Sequence, residues 1–150
     1  MQLVDVLTEN MVFLEFNAKD KDEAIDKFVQ SVKDTGLIDE PKILKDALHE
    51  RENLGTTGVG GGIAIPHARS VIIKDLTVGF FRSKAGLDFK AIDGKPVHII
   101  FMLLAPLSSG GPYLKLLAKI SRLLRSNEFR DSLMEAETPA KVVEIIQEYE

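Results

Sequence analysis

The chain has 150 residues, of which 45% are hydrophobic and 28% are charged. A chain of this length buries roughly two-thirds of its unfolded surface, so we expect one domain, residues 1–150, around one core. The formal net charge of -4 argues against a nucleic-acid-binding surface. The absence of cysteine excludes disulfides, thiolate nucleophiles and Cys-ligated zinc, so any covalent chemistry must use another nucleophile.

The first third of the chain predicts one strand followed by two helices. Val12–Phe16 is almost entirely apolar and predicts a strand. Asp20 and Glu23 form a plausible capping box for a helix that ends at Gly36. A second start signal predicts a helix from Pro41 to about Glu52, and we expect the two helices to pack together.

The middle of the chain predicts strands. Ile63–Ile65 and Leu76–Arg82 have strand composition, and Val97–Ala105 is so apolar that it predicts a central strand. Leu87–Phe89 predicts a short edge strand before a turn at Asp93-Gly94. No apolar segment approaches the roughly 20 residues needed to span a bilayer, so we expect no membrane insertion.

The last third of the chain predicts helices. One extends from Tyr113 to Leu124 on the spacing of its apolar residues, and Thr138 with Pro139 begins another that continues through Ile146. Strands and helices alternate, which predicts one α/β domain with helices covering both faces of a sheet. The amino terminus lacks a secretory leader, so we expect a cytoplasmic protein.

The segment Gly60–Arg69 presents a histidine after a short apolar strand. Pro66 restricts Ile65 to extended backbone and fixes its own φ, so we expect His67 at a strand end rather than inside a core. Imidazole has a reference pKa of about 6.5, which leaves a neutral fraction with a free nitrogen at cytoplasmic pH. His67 can therefore act as a nucleophile that carries a phosphoryl group.

Phosphoryl transfer needs positive charge and hydrogen-bond donors around the three equatorial oxygens. Arginine binds phosphate through forked hydrogen bonds, and backbone N–H groups of a loop form anion-binding concavities. The candidates to support a phosphoryl group on His67 are Arg51, Arg69, Thr56, Thr57 and the loop Gly58–Gly62. The alternative interpretation of Arg51, together with Glu52, is the solvated end of a helix.

The other two histidines have structural interpretations. His98 lies within an apolar strand, where we expect it to pack or to face an edge; the alternative is that it lines the site. His49 lies on the charged side of a predicted helix. The three histidines do not have zinc-ligand spacing, so no metal is expected. A hydrolase that uses His67 as a general base lacks a convincing nucleophile or metal partner in the sequence.

Two segments, Arg51–Gly58 and Gly62–His67, together resemble the phosphohistidine signature of enzyme IIA domains. The class is the fructose/mannitol type of the phosphoenolpyruvate-dependent sugar phosphotransferase system. The resemblance extends through Val97–Phe101 and Leu114–Ser121 and covers nearly the whole chain. It implies a single mixed β-sheet flanked by helices, in agreement with the α/β prediction.

The resemblance also implies a phosphoryl relay and its partners. His67 would accept a phosphoryl group, originating from phosphoenolpyruvate, from the phosphocarrier HPr and pass it to a cysteine of an enzyme IIB domain, with no bound cofactor. It implies Nε2 as the acceptor nitrogen, although the sequence itself does not select the tautomer. Arg51 is implied as the phosphate-neutralising residue, with Thr57 and Gly62 in weaker supporting roles.

One position departs from the family pattern. Many relatives carry a second histidine just before the Leu-Lys-Leu-Leu helix, where this chain has Tyr113. A tyrosine hydroxyl can donate a hydrogen bond to a phosphoryl oxygen but stays neutral at pH 7, so we expect it to assist at most. Two functions remain open: a sugar-uptake phosphotransferase component, and a regulatory protein of the nitrogen-regulatory type whose phosphorylation controls a binding partner.

Overall fold

The computed structural model describes all 150 residues. No helix is both long and apolar enough to cross a membrane. The strands are β1 (Val12–Phe13), β2 (Gly58–Gly60), β3 (Ile63–Ala64), β4 (His67–Arg69), β5 (Thr77–Leu87) and β6 (Val97–Ala105). The α-helices are α1 (Lys21–Asp34), α2 (Pro41–Asn53), α3 (Gly110–Leu123), α4 (Asn127–Glu135) and α5 (Pro139–Tyr149).

The six strands form one mixed sheet in the order β1-β5-β6-β3-β2, with β4 also paired to β6. β6 is antiparallel to β5 and parallel to both β3 and β4, while β1 is parallel to β5. Every residue of β6 except His98 is buried, because neighbouring strands flank it and helices cover both its faces. The predictions of a mixed sheet and of a central apolar strand are confirmed.

Alternate residues of β6 pack on opposite sides of the sheet. Phe101 and its alternate neighbours face α3, α4 and α5, whereas Met102 and its alternate neighbours face α1 and α2. Each side forms a hydrophobic cluster of 22 buried residues, so neither is subsidiary. Helices on both faces are therefore confirmed, but the expected single core is two clusters, because the sheet is buried on both faces and separates them.

The predicted cap at the start of α1 and the predicted glycine at its end are both present, but the capping box is not closed. The Asp20 side chain caps α1 by accepting from the Glu23 N–H at 2.9 Å. The Glu23 side chain accepts from the Lys19 N–H at 3.4 Å instead of closing the predicted capping box. Gly36 has a φ of +83° just beyond the end of α1, a conformation that only glycine adopts readily.

Several predicted boundaries differ from the structure. β1 contains only Val12 and Phe13 of the predicted strand. The separate strand predicted over 87–89 is wrong, because Leu87 is the last residue of β5 and pairs with Val97. The sequence pattern predicts no helix where α4 lies, although Ser126 caps α4 by accepting from the Phe129 N–H at 3.2 Å.

Candidate functional site

His67 is the first residue of β4 and is half-buried. The two short strands β3 and β4 follow each other along the same side of β6, with Ile65 and Pro66 between them. Pro66 has no N–H to donate, but its carbonyl accepts from the Leu103 N–H at 2.9 Å. This break presents His67 at a strand end, as the sequence predicts.

Each nitrogen of the His67 ring has its own partner. Nδ1 lies 2.8 Å from the Ile65 carbonyl oxygen, and Nε2 lies 3.1 Å from the Nε of Arg51. A carbonyl can only accept and a guanidinium can only donate. The neutral ring that satisfies both contacts has its hydrogen on Nδ1 and its lone pair on Nε2.

The surroundings of His67 favour its neutral form. Burial lowers the pKa of His67 below its usual value of 6.5, and the nearby Arg51 charge lowers it further. The hydrogen bond to the Ile65 carbonyl and the carboxylate of Glu52 act in the opposite direction without reversing the shift. At neutral pH the imidazole is therefore uncharged and keeps the Nε2 lone pair that a nucleophile requires.

Arg51 occupies the last turn of α2, where a cation also interacts favourably with the helix dipole. Its Nη1 donates to the Gly55 carbonyl at 2.9 Å, which holds the guanidinium against the following loop. Its Nη2 makes no hydrogen bond within the protein, so it remains available to an anion on His67. Arg51 thus lies at a helix end, as the alternative interpretation has it, but its guanidinium also contacts His67 and Gly55.

His67 and Arg51 line an open surface cavity of about 400 Å³. Its wall combines two arginines, the His67 and Tyr113 rings, exposed apolar side chains and one carboxylate, that of Glu50. The lining residues are Ala47, Glu50, Arg51, Leu54, His67, Ala68, Arg69, Leu107 and Tyr113. A larger groove of about 510 Å³ between α4 and α5 is lined by several carboxylates and contains no histidine, so it does not suit the same chemistry.

Tyr113 lies between His67 and Arg69. Its ring meets the imidazole edge-on with 5.9 Å between centroids, and the Arg69 guanidinium lies 5.6 Å from the same ring centroid. Burial raises the pKa of Tyr113, so its hydroxyl is neutral at pH 7. The structure therefore brings together four of the predicted residues, His67, Arg51, Arg69 and Tyr113.

The two threonines are not available to a phosphoryl group. The N–H and hydroxyl of Thr57 both donate to the carboxylate of Glu52, at 3.0 and 2.5 Å. The Thr56 hydroxyl accepts from Lys21 Nζ at 3.0 Å and donates to the Phe89 carbonyl at 3.2 Å. The expectation that Thr57 supports a phosphoryl group directly is therefore corrected, because its hydroxyl, its only side-chain donor, already donates to Glu52.

Gly62 is also absent from the cavity. Its carbonyl accepts from the N–H groups of His98 and Ile99, at 2.8 and 3.0 Å. Ile99 is four residues before Leu103, the residue of β6 that pairs with His67. The glycine loop therefore lies toward the opposite end of β6, which corrects the expectation that Gly62 supports a phosphoryl group on His67.

Glu52 is the residue that sequence reasoning placed wrongly. It is only 7% exposed, and its carboxylate pairs with Lys21 Nζ at 2.8 Å. The one sequence signal for Glu52 was its place in the family motif, directly after Arg51 and shortly before Thr56-Thr57. The partner Lys21, however, is 31 residues earlier in the chain, and no local pattern connects the two.

His49 and His98 lie outside the cavity. His49 Nδ1 is 3.8 Å from the Asp22 carboxylate, on the charged side of α2 as predicted. His98 Nδ1 is 2.9 Å from the Ser83 carbonyl oxygen, and the ring packs closely against Gly86. The prediction that His98 is a packed residue is confirmed. No three acidic or histidine side chains are arranged to hold a metal ion.

Fold and site together define an α/β protein that presents a neutral imidazole, contacted by an arginine, in an open surface cavity. The family model described as "Phosphoenolpyruvate-dependent sugar phosphotransferase system, EIIA 2" matches residues 5–149. The chain therefore belongs to this family, and the family resemblance of the sequence is confirmed.

The relatives include both fructose-specific components of the phosphotransferase system and nitrogen regulatory proteins. The chain is 38% identical over 151 residues to a Haloferax volcanii "PTS system fructose-specific EIIA component", covering 99% of this chain and 98% of the relative. It is 33% identical over 150 residues to a Bacillus subtilis "PTS system fructose-specific EIIABC component", covering 100% of this chain but only 24% of that relative's length. The crystal structure of nitrogen regulatory protein IIA-Ntr from Neisseria meningitidis has a TM-score of 0.87 and 30% identity, covering 95% of this chain and 97% of that one.

Proposed function

We propose that the protein is a cytoplasmic phosphocarrier of the sugar phosphotransferase system. His67 accepts a phosphoryl group from phosphorylated HPr and passes it to a cysteine of an enzyme IIB domain, for uptake of a sugar of the fructose or mannitol type. The observation that carries this proposal is the contact of Nε2 of His67 with the Arg51 guanidinium at the wall of an open cavity. The name of the Bacillus subtilis relative, which joins EIIA to EIIB and EIIC, supports the choice of acceptor.

Each transfer exchanges one bond to phosphorus for another. In the first, the Nε2 lone pair forms the new bond while the bond to the donor atom breaks and its electron pair returns to the donor. In the second, a thiolate of enzyme IIB attacks phosphorus and the electron pair of the Nε2–P bond returns to His67. The hydrogen stays on Nδ1, hydrogen-bonded to the Ile65 carbonyl, so the phosphorylated ring carries a positive charge until the phosphoryl group leaves, and no proton has to be exchanged.

Arg51 changes partner as the reaction proceeds. Before transfer its Nε–H donates to the Nε2 lone pair, which holds the ring in place. This hydrogen bond must break before the lone pair can attack phosphorus, and the guanidinium then turns to the phosphoryl oxygens, for which its fork of N–H donors is suited. Arg69 adds positive charge farther from the ring, and Tyr113 contributes a neutral hydroxyl.

A regulatory phospho-switch is the second candidate function. The Neisseria meningitidis nitrogen regulatory protein has nearly the same fold over 95% of this chain, which supports this alternative. Both functions begin with phosphorylation of His67. They differ in the next step, because a carrier discharges rapidly to an enzyme IIB domain whereas a switch changes its affinity for a binding partner.

The test is incubation with phosphoenolpyruvate, enzyme I and HPr, followed by mass spectrometry for an acid-labile, alkali-stable adduct. We expect the adduct on the wild-type protein and on His49→Gln, which removes a histidine outside the cavity, but not on His67→Ala. Purified fructose-type and mannitol-type enzyme IIB domains are then added. Rapid discharge to one of them supports the carrier, and a phosphoprotein that is stable to both supports the switch.

A further inference from the structure

Glu52 is a buried carboxylate that takes no direct part in the proposed reaction. Its side chain is 3% exposed, and it makes no hydrogen bond to the His67 ring. Oε1 accepts from Lys21 Nζ at 2.8 Å and from the Thr57 N–H at 3.0 Å, and Oε2 accepts from the Thr57 hydroxyl. A buried carboxylate is unfavourable unless it is paired and hydrogen-bonded, so these three donors fix its place.

Two connections lead from this carboxylate to the imidazole. Through one, the Thr57 carbonyl accepts from the Ile65 N–H at 3.0 Å, and the Ile65 carbonyl in turn binds Nδ1 of His67. Through the other, Glu52 follows Arg51 in the last turn of α2, and Arg51 binds Nε2. Glu52 therefore links the end of α2, which carries Arg51, to Thr57, which is hydrogen-bonded to Ile65. Arg51 and the Ile65 carbonyl are the two partners of the His67 ring.

We propose that Glu52 is a positioning residue for His67, because it sets the separation of the Ile65 carbonyl and the Arg51 guanidinium on either side of the ring. If α2 moves relative to the Thr57 segment, these two groups cannot both reach their ring nitrogens. The ring then loses its preference for the hydrogen on Nδ1, and the Nε2 lone pair no longer points in one fixed direction. The effect on transfer rests on the proposed function, whereas the effect on the tautomer is a property of the unphosphorylated protein.

The first test is Glu52→Gln, which keeps the shape of the side chain but leaves one oxygen where the carboxylate has two. We expect ¹⁵N NMR of the unphosphorylated protein to show His67 as a mixture of tautomers instead of one with hydrogen on Nδ1. We also expect the rate of phosphorylation by phosphorylated HPr to fall about 10- to 100-fold, as small misplacements of reacting groups do.

Two substitutions at Thr57 test the same connection without changing a charge. Thr57→Val removes the hydroxyl donor while keeping the size of the side chain, so we expect a smaller shift of the tautomer in the same direction. Thr57→Ser keeps the hydroxyl and should restore both the tautomer and the rate. These variants decide the question if Glu52→Gln does not fold.

Glu150→Gln is the matched control. The Glu150 side chain is also 3% exposed, pairs with Lys119 at 3.1 Å and accepts from the Leu3 N–H at 2.8 Å. None of these partners lines the His67 cavity. We expect Glu150→Gln to lower thermal stability while leaving the His67 tautomer and the transfer rate unchanged.

The inference is overturned if Glu52→Gln and Thr57→Val keep the wild-type tautomer and differ from wild type only in stability, as Glu150→Gln should. A different pattern separates it from the proposed function. If Glu52→Gln shifts the tautomer although the wild-type protein accepts no phosphoryl group from HPr, the positioning role stands and the proposed function fails.

Discussion

The Nε of Arg51 lies 3.1 Å from Nε2 of His67, so a permanent cation donates a hydrogen bond to the lone pair of this nitrogen. This contact has two effects on the imidazole. It holds the ring in one orientation, and the positive charge lowers the pKa of His67 in addition to the larger effect of burial. The same guanidinium is then already beside any phosphoryl group that binds to Nε2.

Replacing Arg51 by methionine tests both effects. Because the charge is removed, the pKa of His67 should rise toward its usual value, as measured by NMR titration of the ring. Loss of a preorganised donor at the reacting group should also lower the phosphorylation rate by about 10²- to 10³-fold. Arg69→Met is the control and should change both quantities less, since Arg69 lies on the Tyr113 ring rather than on His67. Equal effects of the two substitutions would contradict the role given to Arg51.

Stability should depend on pH through His67. Its pKa in the folded protein lies below the usual 6.5, so the unfolded chain binds this proton at higher pH than the folded protein does. As pH falls from about 6.5 through the folded pKa, the unfolded state is therefore stabilised and the free energy of unfolding decreases. Above about pH 6.5, where His67 is neutral in both states, it does not change the free energy of unfolding with pH.

Urea unfolding of the wild-type protein and His67→Gln over this pH range measures the contribution. The substitution removes the titrating group, so the free energy of unfolding of His67→Gln should decrease less on acidification than that of the wild type. Parallel pH profiles for the two proteins would mean that the pKa of His67 is the same in the folded and unfolded states.

The part of the site that could be predicted from sequence is the part that local chemistry determines. Pro66 interrupts the strand next to His67, and that interruption is visible in the residue order. The charge of Arg51 makes it one of several candidates and the family resemblance favours it, but no local pattern predicts its contact with His67, because 16 residues separate the two. Gly62 is nearer to His67 in sequence than Arg51 is, yet it lies away from the cavity because β3 runs along β6 between them.

The features that were missed depend on distant contacts or on weak local patterns. The ion pair of Glu52 with Lys21 forms only when α1 and α2 pack together. α4 has nine residues, of which only Phe129 and Leu133 are buried. Such a short helix shows little apolar periodicity, and its Ser126 cap was the one sequence signal available.

Tyr113→Phe measures what the tyrosine hydroxyl contributes. The ring is buried and contacts His67 edge-on, and phenylalanine retains that packing. Because a neutral hydrogen bond contributes about 1 kcal/mol, we expect phosphorylation and onward transfer to slow by less than about 10-fold. Unchanged rates assign Tyr113 to packing alone, whereas a much larger loss would show that its hydroxyl takes part directly.

Arg82 is a buried arginine of β5, and its hydrogen bonds hold the end of α4. It is 3% exposed and donates to the carbonyls of Leu133 and Met134, at 3.0 and 3.3 Å, and to that of Ala136. Arg82→Leu leaves these helix-end carbonyls without a donor and should lower the free energy of unfolding by on the order of 3 kcal/mol.

Urea unfolding checks this prediction, with Arg125→Leu as the control. Arg125 is exposed, so its substitution should change the free energy of unfolding by less than about 0.5 kcal/mol. Phosphorylation of Arg82→Leu should proceed at the wild-type rate under conditions where it is folded. A loss of transfer in the folded variant would contradict a purely structural role.

The most direct test of the phosphocarrier account is to identify the atom of the protein that accepts the phosphoryl group. After incubation with phosphoenolpyruvate, enzyme I and HPr, ³¹P and ¹⁵N NMR of the ring nitrogens distinguishes the two possible phosphohistidines. We predict a single phosphoryl group on Nε2 of His67, with Nδ1 still protonated and hydrogen-bonded to the Ile65 carbonyl. A phosphoryl group on Nδ1, on another residue, or on no residue at all would contradict the account.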